Sequence, residues 1–164
     1  MALKETSEWF QLWSPYSRAA LVIRSLPVSV DQGRDVMSII DAMNRWYAAW
    51  NAHDTAAVAD AMSPAGTYTD PTLDLPIDNQ TTAQYAVSNV FETYPDAHFE
   101  ILTLGAMSDT TGAAQWRMTG THKSNGRPVA TKGADFFNYD LVTDRLSTVV
   151  GYFDVLSAQK QISG

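Results

Sequence analysis

The sequence predicts an α+β domain, a set of helices followed by a curved antiparallel sheet, and two observations carry that prediction. From Val36 to Tyr94 apolar residues recur every three to four positions, in blocks broken by capping residues and prolines. From residue 97 onward they alternate instead, in four segments separated by turn residues. Helices first and strands afterwards is the order of an α+β fold rather than of a parallel α/β chain. The 164 residues suit one domain. With 45% hydrophobic and 18% charged residues the chain can build a core, which excludes wholesale disorder.

Residues 1–33 read as an N-terminal arm. Trp9, Trp13 and Tyr16 sit at helical spacing, with Pro15, Pro27 and Gly33 punctuating the segment. It lacks the basic face of a membrane-surface helix and suits a packing arm. The domain proper spans 34–164. Its first helix carries Val36, Ile40, Met43, Trp46 or Tyr47, and Trp50 on one stripe and breaks at Asn51-Ala52-His53-Asp54. Asp54 is the N-cap of a shorter second helix with Val58, Ala61 and Met62 on its face; Pro64 and Gly66 end it. Thr67 to Asp70 form a short strand stopped by Pro71. Thr81-Thr82-Ala83-Gln84 open a third helix as a capping box, with Val87, Val90, Phe91 and Tyr94 buried. The strands fall at about 97–107, 112–122, 129–139 and 145–155. Strongly twisted strands of this length curl into a cone-shaped half-barrel whose concave side, covered by helices, holds an apolar cavity.

Charge and composition exclude several functions. Lys and Arg total 11 against 18 Asp and Glu, a net charge of −7 that repels phosphate backbones and anionic lipid, so neither nucleic acid nor a membrane is an expected partner. No cysteine is present, which removes disulfides, thiolate zinc sites and cysteine nucleophiles. His53, His98 and His122 lie far apart and lack paired ligand spacing, so no metal is expected. Gly-rich phosphate loops and the Gly-x-Ser-x-Gly elbow are absent. The N-terminal stretch has no apolar run long enough for a signal peptide or spanning helix, and the expected location is the cytoplasm.

The candidate chemistry sits on the second and third of these four segments. In phase with His122 are Gly120, Met118, Trp116 and Ala114, an apolar inward face; Gln115, Arg117, Thr119 and Thr121 face outward. On the next strand Thr131, Gly133, Asp135, Phe137 and Tyr139 share a face. A hairpin turning near Asn125-Gly126 brings His122 and Asp135 within reach. A carboxyl facing aromatic rings has its neutral form favoured, which raises its pKa toward neutrality, and a carboxyl–imidazole pair suits general acid–base work. The same two residues could instead simply satisfy each other at a hairpin end. Trp46, Trp50, Tyr68, Trp116 and Phe137 are candidate pocket lining, and Asp70 stands where it could touch a ligand or shape a turn.

The strings Trp116 to His122 and Gly133-Ala134-Asp135-Phe136-Phe137 resemble those of the SnoaL-like polyketide cyclases, of the superfamily typified by nuclear transport factor two. Tyr47 to Asp54, Tyr68-x-Asp70-Pro71, Tyr94-Pro95-Asp96 and Tyr152 to Leu156 extend the resemblance over about 36–162. It implies a cofactor-independent enzyme that takes a hydrophobic carbonyl compound through an intramolecular aldol closure. By motif position Asp135 is the general acid/base and His122 its assistant, and a homodimer is expected. Departures exist: the segment Lys123 to Pro128 is shorter than the cyclase loop, and the N-terminal arm is extra. Two alternatives accompany this reading. One is a non-catalytic binding or assembly module on the same fold. The other is an epoxide hydrolase or isomerase, in which Asp154 of Tyr152-Phe153-Asp154 would serve the substrate; the matching Arg117-Met118-Thr119 lacks that family's second aspartate. Asp154 suits better an N-cap of a short C-terminal helix near Leu156–Ile162.

Overall fold

The computed structural model describes residues 37–163; the proposed N-terminal arm lies outside them. Ser38 caps the first helix, α1 (Ile39–Asn51): its hydroxyl accepts the Asp41 N–H at 3.2 Å while the Asp41 carboxylate accepts the Ser38 N–H at 3.1 Å. The helix ends where His53 adopts a left-handed φ of 53°. Asp54 then caps α2 (Thr55–Asp60), accepting the Ala57 N–H at 3.0 Å, as its position after the break predicts.

The chain differs from expectation at the next two boundaries. Pro64 and Gly66 lie inside a strand, β1 (Met62–Thr69). The register against its neighbour slips between Met62 and Thr67, and this irregularity accommodates a residue without an N–H. Gly66 fits because a Cβ there would stand 2.9 Å from the Ser63 carbonyl oxygen. After a two-residue strand, β2 (Ile77–Asp78), the third helix α3 (Asn79–Tyr85) starts two residues before Thr81. Its cap is Asp78, whose carboxylate accepts the Thr81 N–H at 2.7 Å. A π-helical turn (Ala86–Phe91) continues it.

Four long strands follow, β3 (His98–Ala106), β4 (Thr111–Thr121), β5 (Pro128–Asp140) and β6 (Arg145–Phe153), and a final helix α4 (Val155–Ser163). Their antiparallel meander is the one alternation predicts. β1 adds itself parallel to β6, giving a six-stranded sheet in the order β2-β1-β6-β5-β4-β3. The core lies between α1 and the inner sheet face, with Met43, Trp46, Val58, Met62, Phe137, Leu146 and Val149 fully enclosed. Among the described residues no helix is long and apolar enough to cross a membrane.

Candidate active site

Register decides what the inner face presents. Asp135 on β5 pairs with Ala114 on β4 and with Gly151 on β6, two of the smallest residues available, so its carboxyl is not roofed by a neighbour. A Cβ built on Gly151 would lie 3.1 Å from Asp135 Oδ1 and 3.5 Å from the Asp70 Cβ. The parallel pairing of β1 with β6 matches Thr69 to Val150, which carries the next residue, Asp70, alongside Gly151. The two acids therefore flank one glycine.

Both acids are buried, and among the described residues neither is paired with a cation. Asp135, 6% exposed, accepts the Tyr47 hydroxyl on Oδ2 at 2.7 Å. Burial raises its pKa to about 6, opposed by the Tyr47 hydrogen bond and by the Trp116 indole, and reinforced by the charge of Asp70. The Trp116 N–H lies close to Asp135 but falls short of full hydrogen-bond geometry. Asp70 is strapped down. Its Oδ2 accepts the Tyr68 and Tyr85 hydroxyls at 2.8 and 2.7 Å, and its Oδ1 accepts the N–H and hydroxyl of Thr72, each at 2.7 Å. Burial pushes all three phenols up from their ordinary range, so they remain donors. Asp70 thus has its lone pairs filled, whereas Asp135 Oδ1 accepts no full hydrogen bond among the described residues. Asp135 is the group free to exchange a proton.

Around these acids lies a cavity of about 80 Å³. On the same scale one water needs roughly 10–15 Å³, so a compact organic group fits. Trp46, Tyr47 and Trp50 come from α1, Tyr68 from β1, Tyr85 from α3, Phe99 from β3, Trp116 from β4 and Phe153 from β6. Among the described residues lining it there is no Lys, Arg or His.

The expected convergence of His122 with Asp135 is corrected here. The hairpin closes tightly, the His122 N–H donating to the Arg127 carbonyl at 2.8 Å, and β4 pairs Asp135 with Ala114. Eight residues along an extended strand is about 26 Å. His122 lies half-buried at the far end, its ring edge-on to Tyr94 and Nδ1 3.1 Å from the Ser124 hydroxyl. Of the remaining expectations, Phe137 is corrected as lining, and Asp154 takes its capping role rather than a substrate-serving one. Phe137 is plain core, packed against Tyr47 at 6.0 Å, because its register position lies beneath α1 and not beside the cavity. Asp154 is exposed and caps α4, accepting the Ser157 N–H at 2.9 Å. Trp46, Trp50, Tyr68 and Trp116 do line the chamber. Sequence reasoning missed Tyr47, Tyr85, Phe99 and Gly151. In the sequence Tyr47 stands only as an alternative to Trp46 on the helix stripe and at the start of the Tyr47 to Asp54 string, with no role of its own, and nothing local marks Gly151.

The family model for the SnoaL-like domain matches residues 43–141. The chain belongs to the SnoaL-like family. No curated protein matches it significantly. Among solved structures it is similar to a ketosteroid isomerase-like protein from Catenulispora acidiphila in complex with trimethylamine (16% identity, 74% of this chain and 91% of that one, TM-score 0.66). It is also similar to a putative polyketide cyclase from Streptomyces antibioticus (16% identity, 76% and 97%, TM-score 0.65). A third likeness is an epoxide hydrolase of the limonene epoxide hydrolase-like type from M. tuberculosis (19% identity, 74% and 86%, TM-score 0.58). At these identities the likeness is one of fold, the mixed α+β fold with a curved open sheet; one scaffold carries different activities.

Proposed function

We propose that this SnoaL-like chain is a cofactor-independent acid/base enzyme that moves a proton on a hydrophobic carbonyl compound, with Asp135 as the proton carrier. The observation that supports it best is the buried Asp135 carboxyl, near neutrality in pKa, tethered through one oxygen to Tyr47 and open at the other. Above pH 6 Oδ1 accepts a proton from carbon next to a carbonyl; once protonated it returns that proton to oxygen or carbon. Tyr47 keeps the carboxyl oriented, and the aromatic walls keep water from the enolate. Closure of that enolate on a second carbonyl is the aldol step of a cyclase. The epoxide-opening alternative is not favoured, since Arg117 faces outward in an ion pair with Glu100 at 2.5 Å. The same reading includes a homodimer, formed through the outer sheet face.

The test needs no knowledge of the natural substrate. Compact cyclic ketones in deuterium oxide are expected to exchange their α-hydrogens faster with the protein than without it, followed by proton NMR. Asp135→Asn is expected to lower that rate about 10²–10⁴-fold, while His122→Ala leaves it nearly unchanged. A panel of ketones showing only buffer-rate exchange, or an Asp135→Asn protein as active as the parent, would overturn the reading.

A further inference from the structure

Most donors of the chamber are already engaged, the Thr131 hydroxyl donating to the Asp154 carbonyl at 3.4 Å. The Tyr47, Tyr68 and Tyr85 hydroxyls all donate to Asp135 or Asp70. Among the described residues the buried Trp50 and Trp116 N–H groups make no full hydrogen bond, the latter lying close to Asp135. What stays open is the Asp135 Oδ1 acceptor, on a side chain more than nine-tenths buried, with a second carboxylate across Gly151. Trp46, Trp50, Tyr68, Phe99 and Trp116 form a continuous aromatic wall, neighbouring ring centroids lying 5.4 to 6.5 Å apart. Aromatic rings carry negative faces that attract cations, most strongly where water is excluded. Buried carboxylates are normally matched by a cation, and no basic side chain among the described residues lines this cavity.

We infer that the chamber takes a compact organic cation, an alkylammonium group, seated against the aromatic wall with its charge facing Asp135 and Asp70. The inference rests on this chamber being the working site and narrows its substrates to molecules bearing such a group; it does not depend on turnover. An anionic ligand is repelled by the same two carboxylates, and a neutral one of the same shape lacks the charge that pairs with them.

Calorimetric titration of the full chain at pH 7.5 with tetramethylammonium, and in parallel with tert-butanol as a neutral group of similar bulk, tests the inference. The expected result is binding of tetramethylammonium at least about tenfold tighter than of tert-butanol, and at least about tenfold weaker cation binding in Asp135→Asn or Asp70→Asn. A second arm, n-butyltrimethylammonium, tells a free cation from the end of a longer molecule: tighter binding than tetramethylammonium assigns the latter, equal or weaker binding the former. Equal affinity for cation and alcohol, no cation binding at all, or cation binding unchanged in both variants would overturn the inference. Should Asp135→Asn fail to fold, Asp70→Asn and the comparison with tert-butanol still decide. Ketone exchange without cation binding sinks this inference alone; cation binding without exchange sinks the enzymatic reading alone.

Discussion

Asp135 is most costly to keep when it is charged. An unfolded carboxyl ionises near 3.8, and burial moves this one to about 6. Between those values the folded protein holds more protons than the unfolded chain, so stability falls as pH rises through that window. At 1.36 kcal/mol per unit the loss is at most about 3 kcal/mol by pH 7. Asp135→Asn retains an acceptor for Tyr47 and carries no charge. It is expected to unfold at higher urea than the parent at pH 7.5 and to lose that advantage near pH 4; the same difference at both would show that the carboxyl does not titrate as described. In the exchange assay the same group predicts a rate that rises with pH through an apparent pKa of about 6, since the carboxylate is the base.

At the scale of elements, the strands leave room for side chains from their neighbours. Gly133 on β5 pairs with Trp116 on β4, and the indole lies across the place where a Cβ would stand; the Tyr152 carbonyl oxygen lies 2.6 Å from that place. Gly112 also lacks room, but its nearest obstacle is the end of the Met43 side chain, at 2.7 Å, with the Gly105 carbonyl oxygen farther off at 3.1 Å. Gly133→Ala is therefore expected to cost about 2–3 kcal/mol and Gly112→Ala about 1 kcal/mol or less, read from denaturant midpoints. Equal effects would mean that Trp116 moves as freely as Met43. Loss of the α2 cap in Asp54→Ala is expected to cost about 1 kcal/mol by the same measurement.

At the scale of the whole described domain, the outer sheet face shows Phe136 and Tyr152, 45% and 58% exposed, meeting edge to face at 6.1 Å. Arg117 and Glu100 lie on the same face, an apolar centre with a charged border of the sort that protein interfaces use. The proposed homodimer predicts twice the chain mass in sedimentation at micromolar concentration. Tyr152→Glu is expected to yield monomers; a wild-type monomer at those concentrations would sink the proposal.

Much of this was legible in the residues alone. Alternation assigned the inner faces of β4 and β5, and with them the burial of Asp135 and Trp116, because a pleated strand must send its apolar set to one side. The break at Asn51 to Asp54 and the cap at Asp54 were legible for the same local reason. Register was not. Alternation repeats every two residues, so sliding β4 along β5 by pairs leaves the pattern intact while moving His122 from beside Asp135 to beside Arg127. Only the tight closure of that hairpin, and the parallel docking of β1 on β6 that brings Asp70 to Gly151, chose among the equivalent pairings. Those are contacts between residues distant in sequence, and the local pattern does not encode them.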